Sequence, residues 1–282
     1  MAGLDRLAGC IGGALGRRIL DAGDALCEVR IRANRPARLR LLDGSEIASE
    51  SVNPEDLRRM LARMTGDSLY ACEDELRQGY FTMAGGFRVG VCGRLNAGED
   101  GLRSVANAAS LCIRIPREIP GCAEPLYDKD RPPGLLLLSP PGMGKTTLIR
   151  DYARLLSDGG KNVAIADERR EIAACVEGVP SFDVGCRTDV MDGCPKALAI
   201  PLLLRACAPD VIVADEIGGT EDEQAILDAF RCGVSLAATA HASGFDEAYR
   251  RFGRLMDAGV FLRAVLLGGS PGKIIAIREY GK

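Results

Sequence analysis

Residues Ser139-Pro-Pro-Gly-Met-Gly-Lys-Thr-Thr147 follow an all-apolar run, Leu135–Leu138, and lead into a helical pattern. That strand–loop–helix setting is the one a phosphate-cradling loop requires. In it the backbone N–H groups of Gly142, Met143 and Gly144, following Pro141 in the loop, turn toward bound phosphate, and the positive end of the following helix adds to their field. Lys145 is spaced to reach the β- and γ-phosphates, the Thr146 hydroxyl to ligate Mg²⁺, and Thr147 to close the first turn. The pattern G-x-x-x-x-G-K-[ST] is met except at its first glycine, which is Ser139. A nucleoside triphosphate, ATP with Mg²⁺, is the ligand these residues imply.

A second set of polar residues ends other apolar runs. Val211-Ile-Val-Ala214 runs into Asp215-Glu216, which delivers two carboxylates to the edge of a parallel sheet beside bound phosphate. Asp215 is expected to hold Mg²⁺ through water, and Glu216 to polarise the attacking water. Asp167 and Glu168 end the run Asn162–Ala166 on the same rim; Asp167 reads equally well as the N-cap of a following helix, with Glu171 on its first turn. His241, the only histidine, follows Ala237-Ala-Thr-Ala240, placing Thr239 and His241 where a γ-phosphate sensor would sit. Hydrolysis also needs positive charge at the transition state. Arg114, Arg117, Arg169, Arg170, Arg187, Arg205 and Arg231 are candidates among which the sequence does not choose. One histidine and unclustered cysteines give no ligand set for zinc or iron.

These residues must be positioned by a fold, and the chain of 282 residues has room for two domains. Pro116–Gly134, rich in proline and alternating charge, reads as a linker, with a boundary near 130. Residues 1–130 read as a small α+β domain without a catalytic motif. Glu28–Arg32 and Ala37–Leu42 alternate like a hairpin, Asn53-Pro54 opens a helix, a second helix covers Leu69–Arg77, and strands cover Gly86–Arg94 and Ser110–Ile115. Residues 131–282 alternate strand and helix as a mostly parallel α/β sheet covered on both faces. Helices are expected through Leu156, over Leu198–Ala206, from a capping box at Thr220-Glu-Asp-Glu223, and over Asp246–Ala258. Phe261–Leu267 and Lys273–Arg278 form a closing hairpin.

Composition narrows the function further. The chain has 36 basic and 39 acidic residues; residues 1–133 hold 19 of each, leaving 17 and 20. Neither half carries the basic excess of a dedicated nucleic-acid binder, and seven Phe, six Tyr and no Trp leave few stacking platforms. Eleven cysteines without a C-x-x-C pair read as small hydrophobes in a reducing cytoplasm. No leader-like order opens the sequence, and no apolar stretch reaches the ~20 residues that span a bilayer. A cytoplasmic protein, or one peripheral at a membrane through a partner, is expected.

Several segments resemble known families. Leu202-Leu-Leu-Arg-Ala-Cys-Ala-Pro-Asp-Val-Ile-Val-Ala-Asp-Glu-Ile-Gly218 resembles the Leu-Leu-Arg…Pro-Asp…Gly-Glu segment of type II and type IV secretion ATPases. Ile165-Ala-Asp-Glu168 and Thr239-Ala-His241 resemble their aspartate and histidine boxes. Glu28-Val-Arg-Ile-Arg-Ala-Asn-Arg-Pro36, Gly85-Gly-Phe-Arg-Val-Gly90, Ser110–Glu118 and Cys186–Lys196 resemble the stage III sporulation protein AA family. That resemblance implies a RecA-like P-loop ATPase core and an oligomeric, by analogy hexameric, ring. It further implies a role in powering or assembling the channel between mother cell and forespore, with membrane channel proteins as partners; no nucleic-acid partner is expected, from the charge balance and the few aromatics. It leaves Glu216 and the Asp167/Glu168 pair as alternative general bases. Two other functions fit the same core: a nucleic-acid translocase, and a nucleotide switch without sustained turnover.

Overall fold

A computed structural model describes residues 2–66, 76, 79–83, 85–98 and 101–280. The chain forms two compact units, Met1–Pro116 and Arg117–Lys282. The division falls before the proline-rich segment, so the stretch expected to be a linker is built into the second unit. The reason is burial: Ala123 and Leu126 are fully enclosed, packed with Leu148, Tyr152 and Val265.

The first unit opens with helices α1 (Ala2–Ile11) and α2 (Gly13–Ala22), followed by strands β1 (Leu26–Arg32), β2 (Arg35–Leu41) and β3 (Glu46–Val52). Helix α3 (Pro54–Met64) and strands β4 (Tyr80–Met83), β5 (Phe87–Gly98) and β6 (Gly101–Arg114) complete it. The strands form an antiparallel sheet in the order β3-β2-β1-β6-β5-β4. Its period-two pattern buries Val29, Ile31, Ala37, Leu39, Val89 and Leu111 against Leu7, Leu15, Ile19 and Leu57 of the helices. Asn53 caps α3 as its type and the following proline predict, its side chain accepting from Asp56 N–H at 2.8 Å. The helix expected over Leu69–Arg77 lies, Leu76 apart, outside the described residues.

The second unit begins with β7 (Leu135–Leu138), α4 (Lys145–Asp158), β8 (Val163–Asp167) and β9 (Thr188–Asp192). It continues through α5 (Lys196–Cys207), β10 (Val211–Ala214), α6 (Thr220–Arg231), β11 (Ser235–Ala240) and α7 (Phe245–Asp257). The hairpin β12 (Arg263–Leu267) and β13 (Ile274–Glu279) closes it. The sheet order is β13-β12-β7-β11-β10-β8-β9, with every neighbour parallel except β13 against β12. Successive strand residues alternate between two cores, which is why the strands are apolar throughout. Leu136, Leu138, Ile212 and Ala214 face α5, α6 and α7, whereas Leu135, Leu137, Val211 and Val213 face α4. Because β7, β8, β10 and β11 run in the same direction, their carboxyl ends present Ser139, Asp167, Asp215 and His241 along one edge.

Two local expectations give way. No helix follows Asp167; residues 168–187 turn back through Arg170, Ala174 and Glu177 at positive φ, 56°, 48° and 52°, before β9. The capping box at Thr220–Glu223 does not form. Helix α6 starts one residue earlier, at an N-cap Gly219 with no side chain to offer, and Asp222 instead accepts from Gly218 N–H at 3.1 Å. No helix among the described residues is long and apolar enough to cross a membrane.

Helices α1 and α2 meet at a glycine that leaves no room for a side chain. A Cβ added at Gly16 would lie 2.6 Å from the Ala8 carbonyl oxygen, so Gly16→Ala forces the two helices apart. We expect it to lower unfolding stability by about 1–3 kcal/mol, read as a shift in the urea midpoint of the first unit's transition.

Candidate functional site

The loop between β7 and α4 owes its shape to two glycines at positive φ, Gly142 at 77° and Gly144 at 83°. A side chain at Gly144 would also meet Gly272 N at 3.0 Å, because the tip of the β12–β13 hairpin lies on the loop and Gly272 N–H donates to Met143 C=O at 2.9 Å. Pro141 and Gly142 are exposed, Met143 and Thr147 half-buried. Lys145, by contrast, is buried, and its ammonium donates to Ser139 C=O (3.1 Å), Ser139 Oγ (3.2 Å) and Pro140 C=O (3.2 Å). Burial pulls its pKa below the ordinary lysine value, against the opposing pull of Asp215 and Glu216.

Asp215 joins the loop to the neighbouring strands. One carboxylate oxygen accepts from Thr146 Oγ1 at 2.7 Å; the other accepts from the Thr239 hydroxyl and from Glu216 N–H at 3.0 Å. Glu216 N–H also donates to Thr239 Oγ1 at 2.9 Å, holding Glu216 at φ 51°, a left-handed conformation rare for a side chain of its size. The Glu216 carboxylate then lies between two cations or donors: Arg169 on one oxygen, His241 Nε2 on the other at 3.0 Å. His241 Nδ1 is 3.0 Å from Lys145 Nζ. The neutral tautomer with its proton on Nε2 satisfies both contacts, accepting from lysine and donating to Glu216. Lys145, Thr146, Asp215, Glu216, Thr239 and His241 are thereby one hydrogen-bonded group.

The remaining expected residues take other positions. Asp167 is buried, with its carboxylate accepting from Glu171 N–H (2.9 Å), Ile172 N–H (3.2 Å) and Ala173 N–H (2.8 Å). It ties down a loop rather than capping a helix. Burial pushes its pKa above the ordinary aspartate value, the three N–H bonds opposing. Burial would also raise Glu168, but the Lys196 ammonium against its carboxylate outweighs that and leaves it below the ordinary glutamate value. Of the candidate arginines in the second unit, Arg169 touches the site. Arg170 pairs with Asp192 at 2.9 Å, Arg231 with Asp228 at 3.1 Å, Arg205 is exposed on α5, the Arg117 carbonyl accepts from Arg150 at 2.9 Å, and Arg187 N–H binds Ser157 Oγ at 2.7 Å. Arg114 is exposed on the sheet of the first unit.

Sequence reasoning missed three contributors. Lys196 is buried against Glu168; Arg251 donates to the His241 carbonyl; Arg150 is buried, holding the carbonyls of Arg117, Glu171 and Ile172 beneath Asp167. Each is a cation whose partner is distant in sequence, which spacing along the chain does not reveal.

Residues 4–281 match the family described as Sporulation stage III, protein AA. The chain belongs to that family. It is 39% identical over 265 residues to the stage III sporulation protein AA of Bacillus subtilis (strain 168), an alignment covering 90% of this chain and 86% of that protein. Its fold resembles that of the pilus retraction motor PilT, solved with bound ADP, at TM-score 0.67 and 17% identity over 95% of this chain and 82% of that one. It also resembles the ATPase DotB of Legionella pneumophila at TM-score 0.59 and 16% identity, over 89% and 75% of the two chains. The family member thus has the α/β, RecA-like fold of the secretion ATPases.

The structural role of Asp167 is open to test. Asp167→Asn removes one acceptor oxygen from three N–H groups, and we expect a loss of about 1–3 kcal/mol in stability. Because the folded pKa is raised, the carboxyl contributes fully below the unfolded value of about 3.9 and loses that contribution as pH rises through its folded value. The deficit of Asp167→Asn against the native chain, from urea titrations, is therefore expected to be largest in acid and to narrow toward alkaline pH.

Proposed function

We propose that this family member hydrolyses ATP with Mg²⁺ as a cytoplasmic, ring-forming motor of the secretion type, powering or assembling a channel between mother cell and forespore. The observation that carries the reading is the single network joining the glycine loop, Lys145 and Thr146 to Asp215, Glu216 and His241 at the carboxyl edge of a parallel sheet. The phosphates would lie in the loop, exchanging the neutral acceptors that now surround Lys145 for anionic oxygens. Magnesium, when bound, would neutralise charge between the β- and γ-phosphates, and the Thr146 hydroxyl with Asp215 is a donor set of the hard oxygen type it prefers. Glu216 would accept the proton of the attacking water as the γ-phosphorus bonds to it and the bond to the ADP oxygen breaks. His241 and Thr239, in contact with Lys145 and Asp215, are placed to register whether the γ-phosphate is present.

Glu216 is favoured over the Asp167/Glu168 pair as base because both Asp167 oxygens are taken by backbone N–H groups and Glu168 is held by Lys196. Family membership supports the sporulation role, and the fold shared with a pilus retraction motor and an ATPase supports the motor. The reading includes a ring, of six subunits by analogy with the secretion ATPases, and membrane channel proteins as partners.

Phosphate release by the full chain, followed against protein concentration, tests this. Lys145→Ala is expected to abolish turnover and nucleotide binding together. Glu216→Gln should bind ATP with near-native affinity while turnover falls roughly 100-fold or more. Retained turnover in Glu216→Gln shifts the base elsewhere, and absence of turnover in the native chain with Mg²⁺ at every concentration would sink the hydrolysis reading. A rate that climbs with concentration is the result expected of sites completed between subunits.

A further inference from the structure

The charge balance of the first unit conceals a sorting. Residues 1–116 contain sixteen arginines and no lysine, and seven of them stand on the sheet face opposite the helices. On β1 and β2 these are Arg30, Arg32, Arg38 and Arg40, all exposed. On β5 and β6 they are Arg88, Arg94 and Arg114, the first half-buried with its guanidinium stacked on Tyr80 at 3.7 Å. The register sets like charges against each other. Arg30 is directly opposite Arg38, and Arg88 directly opposite Arg114, while the acid Glu28 stands in register with the array, opposite Arg40 on one side and Arg114 on the other.

Directly opposed like charges destabilise a sheet, and the face carries little to offset them. Glu28, buried beneath the array, is shared by Arg30 at 2.5 Å and Arg40 at 3.7 Å, and Glu46 pairs with Arg38 at 2.8 Å. Arg32, Arg94 and Arg114 have no ion pair among the described residues. Between the two banks the floor is Gly90, Ser110, Cys112 and Cys92, too small to screen the guanidinium groups or to form an apolar contact.

We propose that this face docks on the anionic phospholipid headgroups of a membrane surface. Guanidinium is the cation that meets phosphate oxygens in pairs, and the exclusive use of arginine fits that chemistry. A cluster of this size is drawn to an anionic bilayer within a Debye length of its surface. Among the described residues the aromatic on this face is Tyr80, and it is already covered by Arg88, which does not favour stacking of nucleic-acid bases. Phosphates are the part of a ligand this surface is built to meet. The proposal is independent of nucleotide hydrolysis.

Co-sedimentation of the full chain with vesicles tests it. The expected result is binding to vesicles of phosphatidylglycerol in phosphatidylcholine, none to phosphatidylcholine alone, and loss of binding as salt is raised. Arg32→Glu with Arg94→Glu, at two arginines that have no ion pair among the described residues, should lower the partition coefficient roughly tenfold or more. Arg205→Glu on the second unit should leave it unchanged. Should the reversals unfold the chain, Arg32→Gln with Arg94→Gln is expected to give a smaller loss in the same direction. No preference for anionic vesicles, or equal binding by the variants, overturns the proposal. So does capture of a single-stranded oligonucleotide in place of vesicles, which would assign the face to nucleic acid.

Discussion

The second unit turns on the carboxylate of Asp215. It sits where β10 ends, and its two oxygens gather the Thr146 hydroxyl from α4, the Thr239 hydroxyl from β11 and the N–H of Glu216. Three elements separated in sequence are fixed to one another at a single side chain. The arrangement is available because a parallel sheet brings the carboxyl ends of its strands to one edge, where backbone groups are no longer paired and polar side chains can be buried with partners. An apolar residue there would leave the Thr146 and Thr239 hydroxyls partly desolvated and without this acceptor, at a cost comparable to a lost hydrogen bond.

Strand positions were legible because burial on both faces demands uninterrupted apolar runs. Leu135–Leu138 and Val211–Ala214 appear in the structure with the bounds their composition implies, and the loop between β7 and α4 is marked by glycines that no other residue could replace cheaply. Asp167 shows where local reading stops. A carboxylate at a strand end followed by polar residues looks like an N-cap, yet its acceptors serve N–H groups four to six residues on, in a turn that Arg150 clamps from another element. Thr220 similarly met the capping pattern while the helix took its start from Gly219. In both cases tertiary partners decided between conformations of similar local energy.

Counting acids and bases along residues 1–133 gives neutrality, but a sum along the chain does not say on which surface the charges stand. Strand register changes the count that matters: period-two alternation sends every second residue of β1, β2, β5 and β6 outward, and arginine occupies those positions repeatedly. Glu28 and Glu46 meet part of this charge, while other acids in the sum, such as Asp5, Asp21 and Glu55, lie on the helices. Net charge predicts behaviour at a distance, whereas a surface of ångström dimensions responds to the charges on its own face.

Lys145 carries its charge in a costly setting. Its ammonium is buried among two carbonyls, a hydroxyl and a neutral imidazole, all of them dipoles, while the nearby carboxylates of Asp215 and Glu216 are occupied by other donors. Burying a cation among neutral acceptors costs more than burying it against an anion, and the lowered pKa of Lys145 records that cost. Glu216 adds a second strained feature, a left-handed backbone held by Thr239 and its own neighbour. An anion entering the loop would relieve the first without disturbing the second. The Glu216 backbone is therefore set by Asp215 and Thr239, whereas its carboxylate is aimed by Arg169 and His241, and His241 in turn rests on Lys145, so that the two features are coupled through one imidazole.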